Sequence, residues 1–586
     1  MTRLELLAPA RNADIGIAAI RCGADAIYIG GPAFGARVQA GNSVDDIISL
    51  CNEAAAYAAR IYVTVNTLAT DEAQRREIVA MMMALKDKGV SAFIIQDTTL
   101  LPLLRKRGPW KEEFHASTQC AIRTAQRAEE LFNMGFSRLI LERELSIEQI
   151  KAIHAAVPQA QLEFFVHGAI CVCYSGDCYL SEYLTGRSAN RGECAQPCRS
   201  RYDLVDGNDR ILVKDKPILS MKDLKLISRL EDLAECGVVS FKIEGRLKSE
   251  SYVKNVVRAY DIALNDLVSS HRDRYCRSSL GRVSGGFSPN LEKTFNRGYT
   301  DLFIDGRKDD WNSGNAAKAM GEAVGTFARP SVPIHNGDGL CFISRQGQVV
   351  GFRADKVEND HIICKQVQGL RPETRIWRNM DMKFEQALQN DLPSRLIDIT
   401  LDLHFDKDSC KIKSHIASNL FPESELICET SFPLPPDTVE AQNSERMKLL
   451  IANQICKVTE PYRFSLGELS FTSIIPLLSS GFINGIRRVT AARLREFLLH
   501  YELSEHQAAK SDSMAEGAVK PHPVREGELM RTKYCILNQL GKCLKNGGDS
   551  SLKNGLFLSN NGKRIRLHFD CANCEMVLLA DNLERN

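Results

Sequence analysis

Five of the chain's nineteen cysteines fall between Glu163 and Arg201: Cys171, Cys173, Cys178, Cys194 and Cys198. They follow a short apolar run, Phe164-Phe165-Val166, that reads as the end of a buried strand. The stretch they occupy is rich in Gly, Ser, Asn and Arg, which is loop composition. Thiols crowded onto a loop are poor core filler, and in a reducing compartment metal or cluster ligation is a better use for them than disulfides. The spacing Cys171-x6-Cys178-x15-Cys194-x3-Cys198 contains one tight knuckle of the kind structural zinc prefers. Ligands gathered from one irregular loop suit an iron–sulfur cluster, which accepts thiolates from several directions. Zinc and unligated thiols are the alternatives. Cys173, beside Val172, reads as a packing residue.

A second group closes the chain: Cys535-x7-Cys543 and Cys571-x2-Cys574, separated by a hairpin-like stretch at 556–570. Two pairs on a small tail are a common layout for structural zinc, which would supply folding free energy that so short a segment lacks. A second cluster or plain thiols are the alternatives here. The tail lies far along the chain from the first group, so its removal is expected to leave that group's iron intact.

These groups need a scaffold. Eight apolar runs, at 4–9, 24–31, 60–66, 90–97, 112–118, 136–142, 162–168 and 239–246, alternate with amphipathic segments. Each is too apolar for a one-sided strand, and three of the intervening segments end in Gly, as helix C-termini prefer. Eight strand–helix units in about 245 residues are the count and length of a (β/α)8 TIM-type barrel. A doubly wound open sheet would alternate in the same way. In barrels the functional groups gather at the C-terminal strand ends. Here those ends carry Pro9, Gly30, Asn66, Asp97, Ser117, Gln119, Glu142, Arg143, His167, Glu244 and Arg246. The cysteine loop, at 167–201, starts at the seventh end and so belongs over the same mouth.

The expected class is α/β, with the barrel at 1–268 and a connecting segment at 269–317. A small β-barrel domain follows at 318–392, an α+β domain at 393–505, a polar linker at 506–527 and the cysteine-rich tail at 528–586. In the connecting segment, Arg297 and Tyr299 suit a phosphate contact and a stacked base, whereas Phe295, Tyr299 and Phe303 suit pinning the segment to the barrel. Seventy-five basic against 73 acidic residues exclude a globally basic nucleic-acid binder but allow local patches. Arg187, Arg191, Arg199 and Arg201 in the cysteine loop form one such patch. The N-terminus shows no apolar leader and no run is long enough to span a membrane, so a cytoplasmic protein is expected.

The run HGAICVCYSGDCYLS, followed by RSANRGECAQPCR, resembles the signature of the collagenase-like peptidase family of unassigned catalytic type. The likeness extends to LELLAPA, GADAIYIGG and VVSFKIEGRLKSESYV, while FNRGYTDLF and RTKYCILNQLGKCLK are similar to its longer members that act on ribosomal RNA. Arg11 departs from the Gly common there. The resemblance implies oxygen-independent C5 hydroxylation of an RNA pyrimidine, with a 4Fe–4S cluster and prephenate as hydroxyl donor. Such a donor needs Arg forks, for which Arg143 and Arg246 are placed. Glu142, Glu244 or His167 can handle a proton, and Asn66, Asp97, Arg187 and Arg191 are candidate substrate contacts. The historical peptidase label finds no H-E-x-x-H or G-x-S-x-G here. Its remaining candidate is Cys171 with His167. An accessory iron–sulfur role is the third reading.

Overall fold

Strands β1 (Thr2–Ala10), β2 (Ala26–Gly30), β3 (Arg60–Val65), β4 (Ala92–Ile95), β5 (Glu113–Ala116), β6 (Arg138–Ile140) and β7 (Gln161–Gly168) pair in parallel, each with the next. An excursion then carries β8 (Tyr202–Asp206), β9 (Ile211–Lys216) and β10 (Asp223–Lys225) before β11 (Val238–Ile243) inserts between β7 and β1. Phe241 sits opposite both Phe164 and Leu6, so the sheet closes on itself. That closure is the eight-stranded parallel barrel, and it excludes the open doubly wound sheet. The computed structural model describes residues 1–35, 41–308, 321–359, 361–416, 426–505, 527–553 and 555–581. The linker expected at 506–527, apart from Gly527, and the end of the connecting segment lie outside the described residues.

The connecting helices begin where the sequence places short polar caps. Asn12, Ser43, Asp71, Thr124, Ser146 and Ser249 each accept a bond from the backbone amide three residues on. Each such cap stabilises its helix by about 1 kcal/mol.

The barrel interior is ionic as well as apolar. Arg138 reaches Glu5 and, at 3.3 Å, Glu163, whose other oxygen takes Lys242 at 2.6 Å. Arg60 pairs with Glu113 at 2.8 Å, and Tyr62 and Ser240 donate to Glu5. Three carboxylates thus face three cations within the barrel, which is what burial at this depth requires. Burial opposes the ionisation of Glu5, but Arg138 and Arg60 outweigh it and lower its pKa from 4.5 to about 2.

Among the described residues the barrel is accompanied by three larger sheets and a two-stranded one of Lys356–Glu358 and His361–Ile363. A five-stranded antiparallel sheet between Glu322 and Met380 packs around Val324, Leu340, Phe342 and Ile376. A six-stranded mixed sheet, chiefly Ser394–Phe405, Ser409–Ile416, Leu426–Pro433 and Tyr462–Phe471, buries one face under the helices Ser444–Ile455 and Ser480–Glu505. The tail contributes Glu528–Thr532, Leu556–Asn560, Lys563–Asp570 and Glu575–Ala580 to a third sheet, completed by β8 and β9. Leu558 pairs with Leu204 there, and Leu529, Met530 and Leu556 join the barrel's own core. The tail is therefore welded to the barrel excursion.

Replacing Arg138 with leucine removes the cation that Glu5 and Glu163 share and leaves Glu5 to Arg60 at 3.8 Å and Glu163 to Lys242, at a cost of about 3 kcal/mol. Urea unfolding at neutral pH should show that loss, and a drop below about 1 kcal/mol would contradict the network. Because Glu5 is depressed in the folded state, its contribution is complete above about pH 4.5 and disappears as pH falls toward 2.

Candidate functional site

The C-terminal strand ends enclose a cavity of about 150 Å³. Asn66 after β3, Gln119 after β5, Arg143 after β6, and Glu244 and Arg246 after β11 line it, with Tyr28, Thr64, Phe165 and Lys242 rising from the strands below. Arg143 donates to Glu244 at 2.9 Å and lies 3.7 Å from the centroid of Phe165. Arg246 donates to Thr64 Oγ1 at 2.6 Å, and Asn66 donates to Gln119 at 2.9 Å. Burial pulls the Lys242 ammonium below its ordinary pKa, and Glu163 counters this. The floor is therefore cationic and aromatic, with its guanidinium groups held by neighbours in fixed directions.

The cysteine loop forms the roof. Cys171, Cys178, Cys194 and Cys198 all border the cavity. Burial pushes the Cys198 thiol up to about 12, and Cys171, Cys178 and Cys194 are close enough to add to that rise. Cys173 is buried against Cys178 and borders the same cavity. Among the described residues, no three of these sulfurs lie within 4.8 Å of one another; His335, Asp338 and Asp381 form the one such group. Gly176 lets the loop pass: its φ is +88°, and a Cβ there would lie 2.4 Å from the carbonyl oxygen of Gln119.

Two backbone bonds fasten the roof to the tail, Tyr174 N–H to Arg531 O at 3.1 Å and Tyr179 N–H to Leu529 O at 2.8 Å. Between them Met530, fully buried, projects into the cavity wall. Tyr174 also donates to Glu575 at 2.8 Å and carries the Arg123 guanidinium on its ring at 4.1 Å. The tail is part of the roof, which reverses the expectation that it is separable from the first cysteine group.

A family model described as Peptidase family U32 matches residues 11–313. The chain belongs to peptidase family U32. Along 98% of its length it is 35% identical to the "23S rRNA 5-hydroxycytidine C2501 synthase" of Escherichia coli strain K12, covering 94% of that protein. It is 36% identical to the "tRNA hydroxylation protein P1" of Bacillus subtilis strain 168, over 52% of this chain and 71% of that one. A "Collagenase" of Porphyromonas gingivalis is 30% identical over 60% of this chain and 89% of its own.

In this U32 chain the cavity gathers Asn66, Arg143, Glu244, Arg246 and the loop residues Cys171, Cys178, Cys194 and Cys198, all singled out in the sequence as strand ends or clustered thiols. Glu142 lies outside the wall, buried against Arg123 at 2.9 Å; burial and the neighbouring Glu144 push its pKa well above the usual carboxylate range. His167 points away from the mouth into a cage of Tyr252, Tyr260 and Tyr299. Asp97 caps the turn at Thr99 and borders a neighbouring cavity. Arg187 is exposed on the loop, and Arg191, also exposed, borders a separate opening beside Gly31 and Phe34. Arg199 is spent on Ser220, Met221 and Ile170, and Arg201 on Asp215 and Gly347. These two are structural bonds in place of the expected phosphate patch. Tyr28, Thr64, Phe165, Lys242 and Met530 went unread. Lys242 carried a signal, a lone cation within an apolar strand, whereas nothing in the sequence linked Met530 to the barrel.

The Cys535, Cys543, Cys571 and Cys574 group lies at the edge of the tail sheet. Lys545 donates to Cys574 Sγ at 3.0 Å, and Arg307 bridges the carbonyls of Lys533 and Cys574.

Burial lowers the His167 pKa to about 3, with Lys225 and Lys248 adding to the effect. The ring is expected to stay neutral throughout pH 5–8, so imidazole NMR shifts should remain constant across that range. A titration near 6.5 would remove His167 from its cage.

Proposed function

We propose that this chain hydroxylates a cytidine of ribosomal RNA at C5, using a 4Fe–4S cluster and prephenate as hydroxyl donor. The observation that carries the reading is the convergence of four loop cysteines and two strand-end arginines on one roofed cavity. The near full-length likeness to a ribosomal RNA 5-hydroxycytidine synthase supports it. Cys171, Cys178, Cys194 and Cys198 are the residues that would hold the cluster, which supplies one-electron chemistry when bound.

The remaining chemistry belongs to this chain's side chains. Arg143 and Arg246 offer guanidinium groups to the donor's carboxylates, and Lys242 adds a third positive charge below them. Glu244 aims Arg143 and can take the proton released at C5. Phe165 and Tyr28 supply apolar walls, and the Asn66–Gln119 amide pair offers polar edges to a base. The cavity lies under a roof at the barrel mouth, where a base stacked in a helix cannot reach, so the target base must leave its stack. As C5–H becomes C5–OH, the donor's C–OH becomes C–H, and the electrons balance without molecular oxygen. The peptidase reading needs a thiol beside a histidine, and His167 instead sits among tyrosines. We also assign a structural zinc to Cys535, Cys543, Cys571 and Cys574, and its absence by elemental analysis would contradict that assignment.

Nucleoside mass spectrometry of RNA from cells lacking the gene tests the reaction: a hydroxylated cytidine should vanish and return with the wild-type gene. If no hydroxylated pyrimidine changes in any RNA pool, the reading fails. Arg246→Ala should keep the cluster's visible absorbance while product formation falls about 10- to 150-fold. Cys194→Ala should lose iron and sulfide, whereas Cys173→Ala should retain them. Removing residues 527–586 should also cost iron, because Met530 and two backbone bonds leave the roof with that segment.

A further inference from the structure

Beside the mouth, the chain displays an aromatic side chain that the fold does not use. Phe295 is 42% exposed and Leu247 equally so. The Lys248 ammonium lies 3.5 Å from the centroid of the Phe295 ring, and the Arg297 guanidinium 4.8 Å from it. Lys248 also packs on Gly245, the residue between Glu244 and Arg246: a Cβ built there would meet Lys248 Cγ at 3.1 Å. The ring is thus one side chain removed from the arginine wall of the cavity.

The segment that presents Phe295 is rigidly built. Asn296 donates to Thr294 O at 2.9 Å and accepts from Gly298 N–H at 3.1 Å, and Tyr299 donates to Leu291 O at 2.8 Å. Asn255, on the helix Glu250–Ser270, exchanges two bonds with Asn290 at the segment's base. Tyr299 itself packs on His167 with Lys225 on its ring, and Phe303 is buried, so both serve as pins. Among the aromatics of 295–303, Phe295 is left facing solvent. Lys222, Lys225, Lys248 and Arg297 outnumber the nearby Asp223 and Glu292, which pair with Arg297 and Lys225.

We propose that Phe295, with Lys248 and Arg297, is a stacking platform for an unpaired nucleotide of the RNA substrate, next to the base that enters the cavity. This rests on the RNA reading above. An exposed ring flanked by cations matches what a single-stranded nucleic acid offers, a π-face joined to a phosphate. Holding that ring outward on a preformed loop leaves little ordering to be done on binding.

The test is binding of the cluster-loaded, full-length protein to deproteinised ribosomal RNA from cells lacking the gene, at fixed salt. Phe295→Ala should weaken binding about 5- to 100-fold, and Phe295→Trp should restore it. Visible absorbance and unfolding midpoint should match wild type, since the side chain is exposed. Product formation by Phe295→Ala should recover at excess RNA, a KM effect with kcat retained. If wild type binds and modifies RNA while Phe295→Ala stays within twofold, the platform is wrong and the hydroxylase reading stands. If wild type neither binds nor modifies RNA, that reading falls and takes the platform with it.

Discussion

Parallel pairing of β7 with β11 is the constraint on which the site depends. A chain leaving the C-terminal end of β7 must return to the opposite end of the barrel before β11 can begin. Residues 169–237 make that return, and their first part necessarily starts above the mouth. The cysteine loop is therefore held over the cavity by topology, before any ligand draws it there. Gly168 marks the departure, with φ at +107° and Glu244 O 2.8 Å from where its Cβ would stand. A side chain at that position would collide with the very strand end that carries Glu244 and Arg246.

The electrostatics of the mouth continue those of the barrel interior. Glu5, Arg138, Glu163 and Lys242 form a connected chain of charge from the centre of the barrel to the cavity floor. Each carboxylate in it is compensated, so Lys242 can be held beneath the site in spite of burial. The cavity walls repeat this logic: Arg143 is aimed by Glu244 and Arg246 by Thr64. Groups fixed in this way need little reorganisation when an anion arrives, which is where a preorganised site gains over water.

The tail changes how the longer members of the family can be understood. One relative matches 52% of this chain, whereas the synthase likeness runs along 98% of it. In this chain the additional C-terminal strands complete a sheet begun by β8 and β9, and they supply Met530 to the cavity wall. The extension thus reaches the chemistry through main-chain bonds to Tyr174 and Tyr179.

Local pattern was enough to read the eight strands, the glycines that end three of the helices and the loop cysteines. Those features depend on residue type and near spacing: apolar runs bury, Gly ends helices, and clustered thiols stand out on a polar loop. Asn66, Arg143, Glu244 and Arg246 were legible for the same reason, since a barrel collects its strand ends at one face. His167 and Glu142 occupy equivalent strand ends yet turn away, because tyrosines on the helix Glu250–Ser270 and Arg123 offered each a buried partner. Those partners lie far off in sequence, and no local pattern encodes them. The exposure of Phe295 beside the burial of Phe303, and the entry of Met530 into a cavity built from residues 28–246, are likewise long-range packing outcomes. The sequence determined which groups stand at the ends of the elements, and only tertiary packing decided which of them face the same empty space.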